Sequence, residues 1–217
     1  MKQKIMIVGN GEVPPGAAGL IDSADLVIRF NDCRTYGAAG EKTDVVAICN
    51  TGRPGKARLA SAEWASHPAL QQADAIWSVR DPAKFTALRA VLAISHPELD
   101  DFCDDYTADF ARLCVCLGKK HSVISRAVHE AVDTQLQVFA PEPYVVPSSG
   151  LIVIAFVLES FRDADLTIAG FGHEGWEGHP FEAERKLVER WIGEGRLSRL
   201  RPLEGVAASS IQSAAPL

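Results

Sequence analysis

The run Lys4-Ile5-Met6-Ile7-Val8 breaks at once into Gly9-Asn10-Gly11, and a second apolar run, Asp25 to Phe30, soon follows and ends on Asn31. Short apolar runs closed by turn residues read as strands buried on both faces. Further runs of this kind appear at Asp44–Cys49, Ala75–Val79 and Asp165–Ala169, with helical or turn-forming segments between them. The alternation predicts one α/β domain with a mostly parallel sheet flanked by helices. In such a sheet Asn10 and Asn31 emerge at the carboxyl edge, where open α/β sheets bind ligands.

The 217 residues suffice for one core, expected over 1–204, while an Ala- and Ser-rich tail over 205–217 is expected to fray. A net charge of −6 with interspersed signs gives no electrostatic footprint for nucleic acid. The longest apolar run, Leu151 to Leu158, is too short to cross a bilayer, and the start of the chain does not read as a signal peptide. Five cysteines, with no CxxC spacing and an odd count, argue against a paired disulfide framework, so the expected compartment is the cytoplasm.

Three places can carry chemistry. Gly9-Asn10-Gly11 suits a turn at a strand end, but Pro14 stands where a dinucleotide fingerprint needs its third glycine. Pro147-Ser148-Ser149-Gly150 precedes the apolar helix starting near Leu151; Ser148 or Ser149 can cap it, and its first N–H groups can hold a phosphate or carboxylate. Beyond Gly170-Phe171-Gly172 lie His173 and His179, with Pro180 suited to a first helical turn and Glu184 about one turn inside the helix. An imidazole with a nearby carboxylate suits a general base; simple capping is the plainer account. The two histidines lack zinc spacing, and Asp100, Asp101, Asp104, Asp105 and Asp109 read as a solvated acidic face, so no metal is expected.

Taken together, these stretches resemble the sialyltransferases of glycosyltransferase family 29. Val8–Gly11, Ile21–Asn31 and Gly40-Glu41-Lys42-Thr43 look like the large sialylmotif. Pro147–Gly150 with Gly170–Gly172 looks like the small one, and His179-Pro180-Phe181-Glu182-Ala183-Glu184 matches the very small His-x₄-Glu motif. The resemblance implies a variant Rossmann-like fold of small bacterial form and a CMP-sugar donor. It makes Gly9, Asn10, Gly11 and Asn31 the contacts to the cytidine monophosphate portion, with Ser148, Ser149, Gly150 and His173 as further donor contacts. His179 becomes the base that activates an acceptor hydroxyl for metal-independent, inverting transfer, with no cofactor beyond the donor. The chain departs from the secretory members, since Ile5 stands in the place of a paired cysteine and Leu151–Phe161 contains none.

The resemblance leaves Arg53 to Phe139 unplaced, so the acceptor is unknown. The rival expectation is an accessory or regulatory protein that keeps the nucleotide pocket without transfer; small bacterial chains of this appearance are also labelled urease-operon accessory proteins. An NAD-dependent oxidoreductase lacks both the third glycine and an acidic ribose ligand, because Asn31-Asp32 ends the second strand.

Overall fold

Along β1 (Lys4–Val8), Ile5 and Ile7 join one apolar cluster and Met6 and Val8 another, on opposite faces. A strand apolar on both faces needs cover on both, which places it inside a parallel sheet. The computed structural model describes residues 2–201, so the tail expected to fray over 205–217 lies outside the described residues. With β2 (Leu26–Phe30), β3 (Val45–Ile48), β4 (Ala75–Ser78), β5 (Lys120–Val123), β6 (Asp165–Ala169) and β7 (Ser198–Arg199), β1 forms a seven-stranded sheet. The order is β5-β4-β3-β2-β1-β6-β7 and every pairing is parallel.

The sheet is flanked by α1 (Ala18–Asp22), α2 (Gly52–Ala60), α3 (Ala62–Ala65), α4 (Pro68–Gln72), α5 (Pro82–Ser95), α6 (Thr107–Cys116), α7 (Arg126–Gln137), α8 (Ser149–Ser160) and α9 (Phe181–Gly193). One face of β1 to β3 packs on α7, α8 and α9 through Val132, Ile154 and Trp191. On the other face Val46, Ile48 and Ile76 meet Trp64, Leu70 and Phe110. Six apolar residues of α8, Leu151 to Ile154 with Val157 and Leu158, are buried, which accounts for a helix with little polar face. Among the described residues no helix is long and apolar enough to cross a membrane, and all five cysteines are free thiols.

Two strands escape the sequence pattern. The edge strand β5, Lys-His-Ser-Val, has no buried residue, and β7 has two residues; both exist through their ladders to β4 and β6. Exposed, short, charged edge strands are the form that resists further pairing, and they give no hydrophobic period to read.

Arg29, inside β2, is fully buried. Its Nη2 donates to the carbonyls of Ala39 (2.9 Å) and Gly40 (2.8 Å), and its Nε to Lys42 O (3.2 Å) and Thr43 Oγ1 (3.1 Å). Gly40 to Thr43 therefore form a cage around this side chain, and Arg29 holds the β2–β3 connection rather than a ligand. Buried carbonyls left without donors are costly. Arg29→Met is expected to lower stability by about 3 kcal/mol or more in urea unfolding; a loss under about 1 kcal/mol would show that the loop holds itself.

Candidate functional site

β1 has β2 on one side and β6 on the other, so the chain winds in opposite directions from this point, and a crevice opens at the carboxyl ends. Its floor is a backbone contact. Gly9 N–H donates to Ala169 O at 2.8 Å and Gly11 N–H to Gly170 O at 2.9 Å. A Cβ on Gly9 would collide with Gly170 O, and Gly170 itself holds φ +71°, so both positions need glycine. Gly150 is also crowded, because a Cβ there would lie 2.8 Å from the Phe171 ring, which would have to shift.

The cleft above this floor has a volume of about 600 Å³, and Gly9, Asn10, Gly11, Asn31, Ser148, Ser149, Gly150, His173 and His179 all line it. The sequence did not single out Arg34, Phe171, Trp176 or Phe181, which line it too. Trp176, exposed within Glu-Gly-Trp-Glu-Gly, was the legible one, since a large aromatic side chain in a glycine-rich loop has no core to join. A larger cavity of about 890 Å³ lies at the amino-terminal edge, beside Lys2, Gln135, Arg162 and Trp191. It gathers none of the strand-end turns, and we assign the site to the carboxyl edge.

Much of the cleft's polarity is already used by the chain. The Asn10 amide donates to Phe30 O (3.2 Å) and accepts from Arg34 N–H (3.0 Å), latching the β1 turn to the segment after β2. Asn31 sits at φ 53°, a left-handed conformation that Asn tolerates. Its Oδ1 accepts from Cys49 N–H (2.9 Å) and its carbonyl from Trp64 Nε1–H (2.8 Å), which leaves Nδ2 as its remaining polar group.

Ser148 caps α8, its Oγ accepting from Leu151 N–H at 3.2 Å, so the expected helix start stands with Ser149 as first residue. Glu184 takes a different place from the one expected. Instead of supporting His179, its buried carboxylate accepts from Ser148 N–H and Ser148 Oγ–H, both at 2.6 Å. It thus supplies an internal anion at the positive end of α8, leaving the N–H groups of Ser149 and Gly150 as unclaimed first-turn donors.

His179 Nδ1 lies 2.8 Å from Val146 O, which assigns its proton to Nδ1 and leaves the Nε2 lone pair as acceptor. The ring stands edge-on to Trp176 (4.9 Å) and near Phe181 (5.4 Å), and burial keeps its pKa below the ordinary histidine value. His173 occupies φ 54°, and its Nε2 is buried without a hydrogen-bond partner among the described residues. Burial, then the charge of Arg199, lowers its pKa as well. No three His, Cys, Asp or Glu side chains converge as a metal site would require among the described residues. The acidic residues at Asp100, Asp101, Asp104 and Asp109 pair with Arg53, Arg89 and Arg112.

No protein-family model matches the chain. It is 54% identical over 200 residues to the urease operon 23 kDa accessory protein of Rhizobium meliloti (strain 1021), an alignment covering 91% of this chain and 93% of that one. The chain belongs to the family of that accessory protein. A crystal structure of a mammalian sialyltransferase also superposes on 93% of this chain and 70% of its own, with a TM-score of 0.56 and 18% identity. That likeness is one of fold, and it agrees with the Rossmann-like parallel sheet. The expectation of a CMP-sugar-dependent glycosyltransferase is corrected by the accessory-protein relative: the sialyltransferase resemblance reaches the architecture and goes no further.

Burial raises the Glu184 pKa against the two bonds from Ser148, so the folded chain binds this proton more tightly than the unfolded chain does. Its charge therefore costs stability as pH rises from the ordinary carboxylate value through the folded one. Glu184→Gln is expected to gain stability relative to the parent as pH rises above the ordinary carboxylate value, measured as urea midpoints over a pH series from there to neutrality. Parallel midpoints across that range would contradict a buried, charged Glu184.

Proposed function

We propose that this chain is an accessory protein of a urease operon whose strand-end cleft binds a nucleotide monophosphate without transferring a sugar. The accessory role is supported by the relative at 54% identity. Ligand binding is supported above all by His173, which lines the same cleft as the free first-turn N–H groups of α8 and whose buried Nε2 has no partner among the described residues. Buried polar atoms without partners are uncommon, and in a cleft they point to a group the ligand supplies. Helix N-termini suit phosphate, and the apolar walls of Phe171 and Trp176 suit a base or sugar face. In this reading His179 Nε2 is a hydrogen-bond acceptor for a ligand hydroxyl, Asn31 Nδ2 is a donor to the ligand, and no resident cofactor takes part.

The experiment is calorimetric titration with CMP, beside an assay for CMP release from a CMP-sugar. Asn31→Asp keeps the Oδ1 bond to Cys49 N–H but removes Nδ2 and adds a negative charge, so CMP affinity is expected to fall by roughly ten- to a hundredfold in a folded variant. The parent is expected to bind CMP and to release none from the CMP-sugar. Absence of CMP binding by the parent would overturn the nucleotide reading, and turnover would overturn the accessory one.

A further inference from the structure

Arg80 follows β4 at the same carboxyl edge, and its side chain is held differently from that of the other buried arginine among the described residues, Arg29. Arg80 is 8% exposed, and its guanidinium carbon lies 4.3 Å from the Phe102 ring centroid and 4.9 Å from that of Phe85. Its backbone is pinned by Asn50, whose Oδ1 accepts from Arg80 N–H at 2.8 Å and whose Nδ2 donates to Arg80 O at 2.9 Å. Nη1 donates to Thr51 Oγ1 at 2.6 Å, and Nε and Nη2, which are not among the sealed atoms left without a partner, make no hydrogen bond to the described residues and stay open to a group from outside. Arg29 shows the contrast, with each of its three nitrogens directed at an oxygen of the chain.

An arginine cannot shed its proton to escape burial, so an unpaired one must find its counter-charge elsewhere. No carboxylate of the described residues pairs with Arg80. The acids near it in the chain are engaged: Asp81 accepts from the N–H groups of Lys84 and Arg126, Asp104 holds Arg89, and Asp105 holds Thr107. The neighbouring thiols do not neutralise it either. Burial pushes the Cys103 pKa up, and Cys49 donates its proton to Thr51 O at 3.5 Å. Two aromatic faces return part of the desolvation cost, and they leave the in-plane N–H groups unfilled.

We infer that Arg80 anchors the anionic group, a carboxylate or a phosphate, of a small ligand at the ends of β3 and β4. The place adjoins the cleft: the Phe102 ring meets Trp176 at 5.4 Å, and Trp176 meets His179 at 4.9 Å. One aromatic row separates the two positions, and the Arg80 charge is felt at His179. This inference stands apart from the nucleotide reading, since it concerns residues outside the cleft lining.

The test is thermal unfolding of the full chain in inorganic phosphate, in acetate and in chloride at matched ionic strength, for the parent and for Arg80→Met. The parent is expected to gain a few degrees, saturably, in phosphate or in acetate over chloride, and whichever acts names the ligand's group. Arg80→Met is expected to lose that response and to melt no lower in chloride than the parent does, because it removes a buried charge without a partner. An identical Tm for the parent in all three salts, a response retained by Arg80→Met, or a lower Tm for that variant in chloride would overturn the inference. Should Arg80→Met fail to fold, the Nε–H resonance of Arg80 in the parent decides: a saturable shift with either anion supports the site, and a resonance unmoved by both removes it. CMP titration of the same variant reports on the neighbouring cleft separately, so failure of one reading is visible without the other.

Discussion

The site depends on how closely two backbones approach where β1 and β6 end. Gly9 and Gly11 donate to Ala169 and Gly170, and no side chain fits between them. This contact fixes the ends of the two strands that flank the switch in winding direction, and so sets the width of the crevice. Gly150 continues the arrangement from the helix side by letting α8 begin against the Phe171 ring, which itself meets Phe30 edge-on at 5.8 Å. Three glycine turns from distant parts of the chain thus become one wall.

On that wall the chain spends its polar groups unevenly. Asn10, Ser148 and Glu184 are occupied in latches and caps, whereas Asn31 Nδ2, the first amides of α8, His173 Nε2 and His179 Nε2 remain for a ligand. Residue identity alone cannot separate these two groups, because an asparagine that ties loops together looks the same in sequence as one that binds. The Glu184 carboxylate is the clearest instance. Its spacing from His179 suggested a partner for the imidazole, and the helix instead carries it to Ser148, at the start of α8.

The central strands were legible because burial on both faces leaves continuous apolar runs, and α9 because Pro180 stands just before its start. β5 and β7 were illegible, since strands held only by a neighbour's ladder need no apolar residues. All nine residues singled out for the site converge, for the reason that strand ends and helix starts of a parallel sheet share one edge. Function was the least legible level. The stretches that resemble sialylmotifs report turns and caps that the fold needs whatever chemistry it hosts, as the cage that Gly40–Thr43 forms around Arg29 illustrates. Arg80 was missed because the chemistry of an arginine depends on which acids surround it, and that is a property of the packed state.

The central claim is that the carboxyl-edge cleft, and not the larger cavity at the opposite edge, is where this protein holds its ligand. Amide chemical-shift mapping during a CMP titration tests it most directly. The account predicts saturable shifts concentrated at Gly9–Gly11, Asn31, Ser149, Gly150 and His173, with Gln135, Arg162 and Trp191 unmoved. Shifts centred on those last three residues, or none at either edge, would contradict it.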